Sequence, residues 1–79
     1  MAGPKAIQRN FGLVLREYRM NAGLSQERLA HESGLHKNYV GEIERGLKSP
    51  SLKSITALAH TLGTRPSELL RAAEARAGY

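Results

Sequence analysis

Cysteine is absent from the chain, which excludes disulfides and thiolate metal sites. Tryptophan is absent too, and aromatic residues make up only 5% against 41% hydrophobic residues overall. The core must therefore be aliphatic, built from Leu, Ile, Val and Ala packed between helices. Period-two alternation and β-branched runs are missing, and the periodic segments are dominated by Ala, Leu, Glu, Arg and Lys, which are good helix formers. An all-α fold follows. No apolar run approaches the roughly 20 residues needed to span a bilayer, and the opening MAGPKAIQRN lacks the hydrophobic stretch of a signal peptide, so a cytoplasmic location is expected. The histidines, His31, His36 and His60, stand at no recognised ligand spacing, and neither a metal nor a cofactor is expected. With no nucleophile–base pair and no phosphate-cradling glycine loop, the pattern is not that of an enzyme.

What is present is a short, basic, periodic chain. Its 79 residues suit one domain with one core, leaving no room for a separate ligand-sensing unit. Twelve Lys and Arg against seven acidic residues give a formal charge of +5, a balance that suits a polyanionic partner without specifying it.

Hydrophobic spacing predicts five helices. In the first, over 6–22, Ile7, Phe11, Leu15, Tyr18 and Ala22 recur at spacings of four and three, gathering on one face, with Gly23 as C-terminal cap. Ser25 is a good N-cap for a second helix over 26–33, with Leu29 and Ala30 inward and Gly34 ending it. A third runs over 36–45, burying Val40 and Ile43 and stopping at Gly46. The loop GLKSPS follows, where Pro50 keeps Ser49 out of the α region. The fourth helix, 52–62, turns Leu52, Ile55, Leu58, Ala59 and Leu62 inward, and the fifth, 66–76, opens at Pro66 with Leu69, Leu70 and Ala73 on its apolar side. The terminal EARAGY is expected to fray.

The stretch from Gln26 to Arg45, QERLAHESGLHKNYVGEIER, has what two steeply crossing helices require. Ala30 is small where the second helix nears the third. Gly34 sits in a turn that needs positive φ. Val40 and Ile43 fix the inner face of the third helix and turn His36, Lys37, Asn38, Glu42 and Arg45 outward.

With GLSQERLA, SGL, a polar triplet and then Tyr-Val-x-x-Ile-Glu-Arg-Gly at these offsets, the chain resembles the lambda-repressor/Cro (XRE) helix-turn-helix family over roughly residues 11–70. The resemblance implies a five-helix lambda-repressor-like domain, and a bacterial or phage regulator associated with the nucleoid that binds a double-stranded DNA operator. It places Lys37, Asn38 and Tyr39 where bases are read in the major groove, although a tyrosine at this helical spacing can equally be partly packed core. Lys donates to guanine and Asn pairs with adenine, while Glu42, one turn on, would accept from cytosine or hold Lys37 or a neighbouring Arg. His36 is either a base or phosphate contact or simply the N-cap. Gln26 resembles a glutamine that touches a phosphate and can brace the first recognition residue, and Ser25 caps the helix or adds a phosphate contact. Arg45, Lys48 and Ser49, with Lys53 nearby, would embrace the backbone. Arg19 and Glu44 are assigned instead to a structural ion pair. Arg9, Arg16, Arg71 and Arg76 read as solvated helix faces.

The fifth helix offers more apolar surface than a terminal helix needs, which predicts a homodimer joined through Leu62, Pro66, Leu69, Leu70 and Ala73. The competing reading is that these side chains close the core. In size and single-domain construction the chain is similar to phage Cro proteins and to controller proteins of restriction–modification systems, the latter being preferred, with RNA polymerase as a further partner where regulation is positive. The alternative function is an antitoxin-like or adaptor helix-turn-helix protein whose main partner is another protein.

Overall fold

The computed structural model describes residues 3–79. Five helices follow in order: α1 (Pro4–Asn21), α2 (Gln26–Ser33), α3 (Lys37–Glu44), α4 (Leu52–Thr61) and α5 (Pro66–Ala77). The number of helices and every boundary to within two residues agree with the periodicity. α1 starts earlier than expected because Pro4 occupies its first turn, where a fixed φ and a missing N–H cost nothing. At the other end the expected fraying is not seen: α5 runs through Ala77, Gly78 closes it with φ 89°, and Arg76 Nη1 lies 2.8 Å from Glu17 Oε2 on α1.

Three helix starts are set by side chains. Ser25 Oγ accepts from the backbone N–H of Arg28, His36 Nδ1 from that of Asn38, and Ser51 Oγ from that of Ser54. Each satisfies one of the orphan N–H groups of a helix end. Between α2 and α3, Gly34 takes φ 69°, the left-handed conformation that lets the chain reverse without a Cβ clash.

α1 packs along both α5 and α3, α2 crosses α3 and α4, and α4 touches α5. At their junction lie Phe11, Val14 and Leu15 of α1, Leu29 and Ala30 of α2, Val40 and Ile43 of α3, Ile55, Leu58 and Ala59 of α4, and Leu69 and Ala73 of α5, all buried. Because α1 is covered from two sides, its buried face is wider than a single stripe and includes Val14 and Gly12, whereas Ala22 at its end is exposed. Leu52 also departs from expectation. It is 77% exposed, since it stands in the first turn of α4, and the buried position of that turn is taken by Ser54. Two of the five residues expected at a dimer interface lie inside the chain: Leu69 and Ala73 are fully buried, and they close the core against α1. Leu62, Pro66 and Leu70 are half-buried.

Candidate nucleic-acid interface

The site is the outer surface of α2, α3 and the loop to α4, and its rigidity comes from behind. Glu44, at the last turn of α3, is only 6% exposed and receives a two-pronged ion pair from Arg19 of α1. Nε lies 2.6 Å from Oε2 and Nη2 lies 3.0 Å from Oε1. Arg19 Nη1 also donates to the Leu24 carbonyl at 2.9 Å, so one guanidinium ties α1 to the α1–α2 turn and to α3. That hydrogen bond to Glu44, and secondarily its charge, hold the Arg19 guanidinium above its ordinary range despite the opposing effect of burial. Planar bidentate geometry of this kind is specific to arginine.

Gln26 joins the same carboxylate, its Nε2 donating to Glu44 Oε1 at 3.0 Å. One amide N–H is thus turned inward, and the carbonyl lies over Gly41, where an added Cβ would stand 3.5 Å from Gln26 Oε1 and 3.7 Å from Arg45 Nη1. The Gln26 amide lies against α3 at Gly41 and Glu44, a position that spacing alone does not reveal.

A second clamp joins α1 to α3. An added Cβ on Gly12 would fall 2.2 Å from the Ile43 carbonyl oxygen and 2.7 Å from that of Glu44, so only glycine allows this approach. Four residues earlier on α1, Gln8 Nε2 donates to the Gly46 carbonyl at 2.8 Å, satisfying an acceptor just beyond the end of α3. Neither residue stood out in the sequence. A glycine inside an otherwise good helix pattern was the available signal for the first; nothing local marks the second.

In front of this frame, Lys37 and Asn38 are exposed on the first turn of α3, and an open cleft brings them together with Ser25, Gln26, Glu42 and Arg45. Lys37 Nζ lies 3.9 Å from Glu27 Oε2 across the turn, so the free chain pairs Lys37 with Glu27 rather than with Glu42. Tyr39 is half-buried and packs against the core, while its hydroxyl oxygen accepts from the Ser51 backbone N–H at 3.4 Å, linking α3 to the start of α4. His36 caps α3 and is exposed; Lys48 and Ser49 project from the loop. Six of the ten candidate contacts, Ser25, Gln26, Lys37, Asn38, Glu42 and Arg45, thus line one cleft with Arg19 behind them, whereas Ser49 lines a separate pocket with Pro4, Ile7 and Leu70. Among the described residues no group of His, Asp and Glu is arranged to hold a metal ion, and no helix is long and apolar enough to cross a membrane.

Two short helices crossing at a glycine turn, the second presenting polar side chains in front of a fixed frame, define a helix-turn-helix protein. The chain belongs to the helix-turn-helix family, whose model matches residues 15–69. It is 41% identical over 61 residues to control protein C.BamHI from Bacillus amyloliquefaciens, covering 76% of this chain and 75% of that protein. Among solved structures it is similar to the restriction-modification controller protein C.AhdI from Aeromonas hydrophila, with a TM-score of 0.77 and 50% identity over 78% of this chain and 94% of that one. SinR, a master regulator for biofilm formation solved in complex with DNA, superposes with a TM-score of 0.74 at 31% identity over 76% of this chain and 97% of that one.

Proposed function

We propose that this chain is a transcription regulator of the restriction–modification controller type. It binds a pseudo-palindromic double-stranded DNA operator as a homodimer, with α3 of each copy in a major groove. The observation that carries this reading is the exposed pair Lys37 and Asn38 on the first turn of α3, held in front of the buried Arg19–Glu44 pair. Side chains that read base edges must be presented in a fixed register, and here the register is set by a pair whose side chains are only 13% and 2% exposed. Lys37 and Asn38 supply the base contacts, with Glu42 and Tyr39 at the edge of the groove and His36 at its rim. Ser25, Gln26, Arg45, Lys48 and Ser49 supply the backbone contacts.

Control protein C.BamHI and C.AhdI, both similar in length to this chain, support the controller assignment. The homodimer is inferred from reach. An eight-residue helix is about 12 Å long and reads only a few base pairs, so an operator with half-sites about 34 Å apart needs two copies. With Leu69 and Ala73 committed to the core, Leu62, Pro66 and Leu70 remain for the interface. Positive regulation would add RNA polymerase as a partner.

The test is selection from a random duplex library at fixed salt, with the stoichiometry of the retained complex read by sedimentation. A pseudo-palindrome bound by two chains is the expected result. Retention of DNA without enrichment of any sequence, or no retention, overturns the reading.

A further inference from the structure

We infer that α1, outside the helix-turn-helix itself, contributes a second set of backbone contacts through Arg9 and Arg16. This rests on the reading of α3 as a groove-binding helix.

The first observation is which cations remain unpaired. Among the described residues the carboxylates take Arg19, Arg28, Lys37, Arg71 and Arg76 as partners. Of the cations outside those pairs, Arg9, Arg16 and Arg45 stand near the C-terminal end of α3, and Lys48 follows in the exposed loop after it. Arg16 lines a cleft with Arg45, Gln26 and the Arg19–Glu44 pair. On the other side of Gly12 the Arg9 stem runs beside Gly46, whose added Cβ would lie 3.2 Å from Arg9 Cα and 3.6 Å from its Cγ. Gly46 opens the loop that carries Lys48 and Ser49.

The second observation is periodicity in three dimensions. Positions 9, 12, 16 and 19 share one face of α1, and the close approach at Gly12 presses that face onto the Ile43 and Glu44 carbonyls. Arg19 on this face is neutralised by Glu44, whereas Arg9 and Arg16 are exposed and have no carboxylate partner among the described residues. Positions 9 and 16 lie two turns apart, about 10 Å along the helix, a spacing at which cations without a carboxylate partner favour an extended polyanion. The anion that fits a row of guanidinium groups flanking a groove-reading helix is the phosphate backbone of duplex DNA, which Arg binds in a two-pronged manner. Arg16 would work with Arg45 on the α2 side of the helix, and Arg9 with Lys48 on the loop side.

Phosphate contacts carry no sequence information and release counterions. The wild-type chain and the variants Arg9→Gln, Arg16→Gln and Arg71→Gln are titrated by fluorescence anisotropy, at several salt concentrations, against the selected operator and a random duplex. Glutamine keeps the first part of the stem, which for Arg9 runs beside Gly46, and Arg71 sits on α5 beside Glu68 as a control for the loss of one unit of net charge. For each lost contact the log-affinity against log-salt slope should become shallower by about 0.9, so that wild type weakens about threefold more than the variant between about 50 and 200 mM salt. The loss should be equal on operator and random DNA, with Arg71→Gln keeping the wild-type slope and all variants melting like wild type.

Arg9→Gln and Arg16→Gln slopes that match that of Arg71→Gln overturn the inference while leaving the DNA reading intact. So does a loss confined to the operator, and so does a lowered melting temperature with an unchanged slope, which would mark these arginines as partners of the α3 dipole. A wild-type chain that binds no duplex at any salt overturns the underlying reading and this inference with it.

Discussion

Asn38 and Lys48 make the sharpest contrast at the level of single residues, because both are exposed yet are assigned different atoms of the DNA. Asn38→Ala should erode preference for the operator, costing about 1–3 kcal/mol against the cognate base and little on random sequence. Lys48→Ala should weaken operator and random duplex alike. Titrating both variants against both duplexes checks this, and identical uniform losses would show that the roles are misassigned. Behind the surface, Arg19→Ala strands Glu44, whose side chain is only 2% exposed, without its cation. A loss of about 3–5 kcal/mol of stability is expected, readable as a fall in the urea midpoint. Arg19→Met with Glu44→Leu, which removes both charges, should recover much of that loss.

The helices test the frame through two glycines that look equivalent in the sequence. Both Gly12 and Gly41 lie inside helices, where replacement by Ala gains about 1 kcal/mol of helix propensity. At Gly41 the new methyl would meet its neighbours at ordinary van der Waals distance, so Gly41→Ala should raise stability by about 0.5–1 kcal/mol. At Gly12 it would be driven into two backbone carbonyls, which cannot swing aside as a side chain can. Gly12→Ala should therefore lower stability by about 1–3 kcal/mol in spite of the propensity gain. Urea unfolding of the two variants gives opposite signs if the close approach of α1 to α3 is as described. The same pair shows what the sequence could disclose. Helix spans, the caps at Ser25 and His36 and the exposed turn at Lys37 and Asn38 were legible because each depends on neighbours within four residues. Gln8 at Gly46, Gly12 at Ile43 and Gln26 at Glu44 depend on how helices meet, and nothing in local spacing encodes that. Leu52 was misread for a related reason: periodicity shows which residues share a face but not how far along the helix its cover extends.

For the molecule as a whole, 35 × 22 × 21 Å, the consequence is a separation between side chains that hold the chain together and those left for a second copy. Leu69→Ala removes a fully buried side chain and should cost about 2–5 kcal/mol within each chain, whether or not a dimer forms. Leu62→Gln and Leu70→Gln alter half-buried positions at the margin of the core and should weaken association, with a smaller cost in stability than Leu69→Ala. Sedimentation should show a shift toward monomer, and operator binding should become more strongly dependent on protein concentration while random-duplex binding changes little. The buried pair beneath α3 has a further effect on the history of such a protein. Because the recognition helix takes its orientation from Arg19, Glu44 and Gly12, exchanging Lys37 or Asn38 should leave stability within about 0.5 kcal/mol. If Lys37 and Asn38 read bases as proposed, a lineage can change which operator it reads by steps that folding barely registers, and neighbouring regulators in one cell can diverge in target without diverging in shape.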